Sequence, residues 1–315
     1  MLWGAIVVAA GRGTRFGRPK QLIELAGAPM LPWSIRTFAT MPEICDIIVV
    51  TEEDWLDNVR DITARAAAAT EFNVVTGGAT RQKSVRNGLD ALPERCQSVL
   101  VHDGARPLVR ASDVRNGMRA VREGRGALLG TPVVDTIKVV EPAGRLVRRT
   151  LDRDELWAAQ TPQFATVRDL RRAHVDAVRN AVDATDEATL LERSGVEVEL
   201  VSASPENFKI TVPEDLSRAE QLLRQRLEHM PGEEEVLLIE IFTEENLIDA
   251  VCSEVEARGG TVDGIDRDLP TGIAIRAYVG AAQFEGFGDR FEAMSTGGMT
   301  FTTRFSHYAG RAEHA

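Results

Sequence analysis

One stretch near the N-terminus limits what this chain can become more than any other. An apolar run over residues 5–10, AIVVAA, passes directly into GRGTRFGRPK. Ile6, Val7 and Val8 are β-branched, and an unbroken apolar run of this length reads as a strand covered on both faces, as in a parallel sheet flanked by helices. The loop behind it sets Gly11, Gly13 and Gly17 among Arg12, Arg15, Arg18 and Lys20. Glycine lets a backbone turn sharply and present its N–H groups, and the cations add attraction. A polyanion, most simply a phosphate chain, is therefore expected over the strand's C-terminal end. The spacing is that of neither common phosphate loop. A dinucleotide fingerprint needs glycine three after Gly13, where Phe16 stands; a P-loop needs glycine five after its first, which neither Gly11 nor Gly13 has.

The same alternation continues. Apolar runs at 46–51, 72–76, 98–102 and 128–133 predict strands, and residues 57–70, 82–92 and 111–122 predict helices between them. Strands alternating with helices indicate an α/β sandwich with a mainly parallel sheet. Ligands in such sheets sit beyond the carboxyl ends of the strands, where the segments 11–20, 77–84 and 102–107 fall. Asp103 lies just past a buried run; it reads either as a cap for the next helix or as a carboxylate holding Mg²⁺ against a nucleoside triphosphate. Residues 135–140 and 145–151 alternate on either side of a turn at 141–144 and predict a hairpin. Further on, a helix is expected over 166–180, a second opened by Thr185 or Asp186 as N-cap, a strand over 196–201, and a helix starting at Pro213.

Charge divides the chain. Residues 233–315 carry a net −10, whereas everything before them carries −1. The shift falls at HMPGEEE, residues 229–235, a Pro-Gly step with an acidic run, which reads as a linker. Two domains are expected, 1–229 and 235–315. The overall net charge of −11 argues against general nucleic-acid binding. Cys45, Cys96 and Cys252 are far apart in sequence and fit neither a disulfide framework nor a zinc site, so a reducing compartment is expected. With no leader pattern and no apolar run near the ~20 residues of a membrane span, a soluble cytoplasmic protein without a membrane partner is expected.

AAGxGxRFGxPKQ over residues 9–21 resembles the opening motif of the nucleotide-sugar cytidylyltransferases, and most closely the 2-C-methyl-D-erythritol 4-phosphate cytidylyltransferases. Five more segments match that family in order up to about residue 228: GGATRQKS (77–84), VHDGARP (101–107), LDRDELW with AAQTPQF (151–164), ATDEA (184–188) and NFKITVPEDL (207–216). Between Arg15 and Lys20 the loop is two residues shorter than the family pattern, and Gly104 stands where alanine is common. The resemblance implies a Rossmann-like nucleotidyltransferase sandwich with a β-hairpin arm, about 135–157, that embraces a second subunit. It implies a homodimer that transfers CMP from CTP to methylerythritol phosphate with Mg²⁺. By the same resemblance Arg15, Lys20, Arg153 and Lys209 are catalytic. Ala9, Ala10, Gly11, Gly13, Gly78, Ser84, Asp103 and Gly104 bind the nucleotide, and Asp103 also holds the metal. Arg106, Thr136, Arg153, Thr161, Thr185, Lys209 and Thr211 bind the sugar phosphate. The ribitol 5-phosphate cytidylyltransferases are the sister alternative, disfavoured because this chain has AAG, HDGARP and LDRDELWAAQTPQ where AGG, HDxVRP and RDQMYQGQTPQ are expected of them. A protein that only senses CTP is the alternative outside enzymes.

The last eighty residues predict the order βαββαβ, a small ferredoxin-like α+β domain. FTEENLIDAV, ARGGTVDGID and FGDRFEAMSTGGMTFTTRFSHY resemble the C-terminal domain of elongation factor G. A cyclodiphosphate synthase, which some bifunctional relatives carry in this place, needs a D-x-H metal motif that residues 233–315 lack. Without lysine and at net −10, this domain is expected to serve protein interaction or oligomerisation, ahead of a passenger role or a ribosomal contact.

Overall fold

β1 (Trp3–Val8) forms from the apolar run that opens the chain, and all but its last residue is buried. In the computed structural model of the chain, the described residues are 2–11, 20–67, 70–141, 144–228, 233–269, 272–284, 287, 290 and 299–310. Two minimal strands, β2 (Glu24–Leu25) and β3 (Ala28–Pro29), precede α1 (Met30–Ala39). Then come β4 (Ile44–Thr51), α2 (Leu56–Ala67), β5 (Phe72–Thr76), α3 (Arg81–Ala91), β6 (Ser98–Asp103), α4 (Ala111–Ala120) and β7 (Arg125–Pro132). The arm is β8 (Lys138–Val140) with β9 (Val147–Thr150), paired antiparallel. β10 (Trp157–Thr166), α5 (Val167–Arg179), α6 (Glu187–Arg193), β11 (Glu197–Ser202) and α7 (Pro213–Glu228) follow.

The main sheet has the order β11-β7-β10-β6-β1-β4-β5. β1 runs parallel to both β4 and β6, β4 to β5, and β7 to β11, while β10 is antiparallel to β6 and β7. Two apolar layers cover its faces. Ile35 and Phe38 of α1 and Val114 and Met118 of α4 pack on one side. Val85 and Leu89 of α3, with Leu170 and Ala173 of α5, pack on the other. A sheet clothed on both faces is what the unbroken apolar runs required.

β10 is the strand that the sequence does not announce. Pro162 in its middle cannot donate to a ladder, and the register against β7 breaks between Ala159 and Gln163. The break falls where the main sheet meets the candidate site.

By contacts the chain separates into two units, Met1–Leu25 with Pro29–Glu220, and Ala26–Ala28 with Gln221–Ala315. The second unit contains β12 (Glu233–Thr243), α8 (Ile248–Ala257), β13 (Thr261–Leu269), β14 (Gly272–Gly280), α9 (Ala281–Phe284) and β15 (Thr300–Gly310). Its sheet order is β13-β14-β12-β15, with every pair antiparallel. Ile239 and Ile241 of β12, Val251 and Val255 of α8, Ile275 of β14 and Phe287 make its core. This is the expected ferredoxin-like arrangement.

Candidate active site

β1, β4, β5 and β6 deliver their C-terminal ends to one edge of the main sheet. A cleft of about 1210 Å³ opens there. Its wall includes Val8 at the end of β1 and Ala10 beyond it, Glu52–Asp54 after β4, Gly77–Arg81 after β5, Asp103 at the end of β6, and Lys209 with Thr211. The loops are drawn together by backbone bonds: Ala9 N–H donates to Val50 O, Gly77 N–H to Thr51 O, and Gly104 N–H to Val8 O, at 2.7, 2.7 and 2.9 Å. Gly77 permits this approach, since a Cβ there would lie 2.5 Å from that of Ala10. The next loop is closed by Ser84. Its Oγ accepts from Gly78 N–H at 3.0 Å and donates to Thr80 O at 2.9 Å. Thr80 in turn caps α3, accepting from Lys83 N–H.

Asp103 is the electrostatic centre. Its side chain is 11% exposed, and cations approach both oxygens. Lys209 Nζ donates to Oδ2 at 2.8 Å, and Arg81 Nε donates to Oδ1 at 3.2 Å. Arg106 Nε stands 4.0 Å from Oδ2. Burial pushes the Asp103 carboxyl up, but Arg81, Lys209 and Arg106 together outweigh it and hold it well below the usual carboxylate range. Arg81 is fixed from behind by Glu187, whose two oxygens each accept from Nη1 at 2.9 Å. Burial lowers the guanidinium's affinity for its proton, yet Glu187 and Asp103 more than reverse that, so Arg81 is a permanent cation. Its buried Nη2 has no hydrogen-bond partner among the described residues.

A buried polar chain holds this carboxylate in place. Asp103 N–H donates to Thr161 Oγ1 at 3.0 Å, and the same hydroxyl lies 3.1 Å from His102 Nδ1. His102 Nε2 is 3.0 Å from Arg106 O. Burial drives the His102 pKa down to about 4, so the ring is neutral. The side-chain amide of Asn207 donates to Gln160 Oε1 and Thr161 O, both at 2.8 Å, while its backbone carbonyl accepts from Arg106 Nη1 at 2.8 Å. Ile210 N–H bonds to Ala105 O at 2.9 Å. The bulged part of β10 and the segment 207–210 are thus locked onto the end of β6, and this carries Lys209 to Asp103.

Of the residues expected from sequence, Ala10, Gly11, Gly78, Ser84, Asp103, Lys209 and Thr211 line the cleft. Ala9, Gly104 and Thr161 are buried, and Arg106 is largely so. Thr211 gives both its N–H and its hydroxyl hydrogen to Asp215 Oδ2, at 2.7 and 3.0 Å. Thr136 and Thr185 are exposed. Arg153 is exposed at the foot of the arm and donates to Val134 O at 3.2 Å. Gly13, Arg15 and the side chain of Lys20 lie outside the described residues. Sequence reasoning passed over Arg81 and Glu187. In sequence Arg81 reads as one residue of a glycine loop. Glu187, the first residue of α6 behind its N-cap Asp186, reads in sequence as an acid favoured by the helix dipole.

The site contains no protein cage for a metal: no group of three or more His, Cys, Asp or Glu side chains converges among the described residues. A lone carboxylate on a cleft wall suits Mg²⁺, which commonly takes one or two carboxylates and completes its shell with phosphate oxygens and water. Asp103 fits that role because the partner of its Oδ2, Lys209, is a flexible side chain still 42% exposed.

Residues 4–225 match the family described as 2-C-methyl-D-erythritol 4-phosphate cytidylyltransferase. Residues 233–314 match the family described as the elongation factor G C-terminus. The chain is 42% identical over 223 residues to the 2-C-methyl-D-erythritol 4-phosphate cytidylyltransferase of Prochlorococcus marinus, covering 70% of this chain and 98% of that one. It is 39% identical over 224 residues to that of a Nostoc species, covering 70% and 97%. The crystal structure of the Thermus thermophilus enzyme of that name superposes with a TM-score of 0.58 at 32% identity, over 71% of this chain and all of that one.

Proposed function

The chain belongs to the 2-C-methyl-D-erythritol 4-phosphate cytidylyltransferase family, and from that membership we propose how its cleft transfers CMP from CTP to 2-C-methyl-D-erythritol 4-phosphate. The single observation that carries the proposal is Asp103 on the cleft wall with Lys209 on one oxygen and Arg81 on the other. An oxygen of the sugar 4-phosphate attacks the α-phosphorus of CTP in line. One new P–O bond forms, the bond to the β-phosphate oxygen breaks, and pyrophosphate leaves. An anion attacking an anion needs neutralised charge and alignment more than proton transfer. Lys209 supplies mobile charge beside Asp103, and Arg81, pinned by Glu187, supplies a fixed charge on its other oxygen. Arg15 and Lys20 take the triphosphate, following the family pattern. Mg²⁺, when bound, adds charge stabilisation on the phosphate oxygens; Asp103 is the residue to hold it. Gly78 and Ser84 shape the loop against which the cytosine rests.

The arm is the dimer element of this proposal. Val134, Leu146 and Val147 are 80%, 71% and 57% exposed on or beside it, and pairing with a second copy covers them. Arg153 then reaches the sugar phosphate of the partner's site. No helix among the described residues is long and apolar enough to cross a membrane. The division at 229–235 is retained as the domain boundary, with the acidic second domain as a protein-interaction module.

Pyrophosphate release tests the reading. With Mg²⁺, release is expected from CTP and methylerythritol phosphate, and not from ribitol 5-phosphate or the other nucleoside triphosphates. Release from another pair alone moves the chain to a sister activity. Arg153→Ala is expected to raise KM for the sugar phosphate and leave that for CTP unchanged; an unchanged KM for both removes Arg153 from the site.

A further inference from the structure

Two cysteines that are 51 positions apart in sequence meet in the fold. Cys45 is the extra residue at a bulge in β4: β1 pairs Trp3 with Ile44 but Gly4 with Asp46. Cys96 lies two residues before β6, on the other side of β1. Their sulfurs are 3.4 Å apart. Nothing stands between them, because the strand that separates their chains carries Gly4 at that point. A Cβ on Gly4 would come within 3.2 Å of Cys96 Sγ. Cys45 is half-buried, Cys96 is 4% exposed, and both belong to the apolar layer on the α3 and α5 side of the sheet. The cleft lies at the opposite, C-terminal ends of the same strands, so neither thiol takes part in the chemistry described above.

We propose that Cys45 and Cys96 are a redox-modification site, a dithiol that closes to a reversible disulfide and ties the start of β4 to the chain leading into β6 across β1. Closure brings the sulfurs from 3.4 Å to about 2.05 Å. The bulge at Cys45 and the loop before β6 are irregular backbone, outside the regular register of the ladder. Cys45, the more accessible thiol, attacks a low-molecular-weight disulfide such as oxidised glutathione. Its Sγ forms a mixed disulfide, the oxidant's S–S bond breaks, and one glutathione thiol leaves with the proton. Cys96 then attacks Cys45 Sγ and releases the second glutathione. The two cysteine thiols are oxidised and one oxidant disulfide is reduced to two thiols. The second step is the slow one. Burial and the Cys45 contact push the Cys96 thiol up to about 12, so closure accelerates with rising pH. A reducing glutathione pool keeps the pair open, which reconciles it with a cytoplasmic enzyme.

The test uses the full-length protein, incubated folded with oxidised glutathione, alkylated and mapped by mass spectrometry. The expected result is loss of two of the three thiols, a Cys45–Cys96 linked peptide, an unreacted Cys252 and full reversal by dithiothreitol. Cys252→Ala keeps the link; Cys45→Ala and Cys96→Ala abolish it. The urea midpoint, read by tryptophan fluorescence, rises on oxidation of the wild type and is unchanged in those two variants. Three alkylatable thiols after oxidation overturn the proposal. So does oxidation that stops at glutathione on Cys45, or a link that forms only in urea. Should either variant fail to fold, the wild-type peptide map decides alone.

Discussion

Glu187→Gln isolates the least visible support of the site. Glu187 is 2% exposed and meets Arg81 through both oxygens at 2.9 Å. The glutamine keeps the shape, removes the charge and turns one acceptor into a donor facing a guanidinium. Breaking a fully buried pair by removing one partner costs about 3–5 kcal/mol. Arg81 is 24% exposed and keeps Asp103 as a counter-ion, so solvent screening and the remaining pair bring the loss to the bottom of that range or just below it, about 2–3 kcal/mol. With a urea m-value of about 2–3 kcal/mol/M for the first unit, the midpoint falls by about 1 M. The assay reads that unit alone, because Trp3, Trp33, Trp55 and Trp157, all four tryptophans, lie in it. Glu187→Asp, which keeps the charge, recovers part of the loss. A midpoint shift below about 0.2 M for Glu187→Gln would refute the view that this pair braces Arg81.

Two further outcomes follow from the buried polar chain. Thr161→Val removes the hydroxyl that receives Asp103 N–H and faces His102 Nδ1; a loss of about 1–3 kcal/mol with reduced turnover is expected, and Thr161→Ser retains both, so equal stability of the two variants in urea would remove Thr161 from this role. His102 and His174 both have pKa values pushed down to about 4, chiefly by burial, and both return to about 6.5 on unfolding. Between those values the unfolded chain binds more protons, so their contribution is complete above pH 6.5 and is lost as pH falls toward 4. Urea midpoints at pH 7, 6 and 5 should descend, and a flat series contradicts the neutral buried rings.

Much of this site was legible in the chain, for a physical reason. Asp103 and Lys209 are single residues in segments whose strand or turn character is local, and a phosphate site needs glycines and cations that stand out. Arg81 and Glu187 were not legible as a pair because 106 positions separate them, and only the closing of α6 onto α3's end brings them together. β10 was hidden by Pro162 and by its register break; the same irregularity lets Thr161 reach back to β6. Cys45 and Cys96 looked like isolated small apolar residues because bulges and strand order are properties of the sheet, not of spacing. For Thr161 and Arg106, which the resemblance marks as substrate ligands, the structure adds contacts that spacing cannot show: Thr161 with His102 and Asp103, and Arg106 with Asn207.

The central claim is that charge gathered around Asp103 drives transfer of CMP. Its most direct test compares the wild type with Lys209→Ala, measuring formation of the diphosphocytidyl product from CTP and methylerythritol phosphate by mass spectrometry. Lys209 is half-exposed, and Arg81 and Arg106 still face Asp103 without it. Its loss should therefore leave the protein folded with a urea midpoint lowered by less than in Glu187→Gln and lower kcat about 10²–10³-fold, the effect of deleting a donor aimed at developing charge. A fully folded Lys209→Ala protein with the wild-type rate would contradict the account.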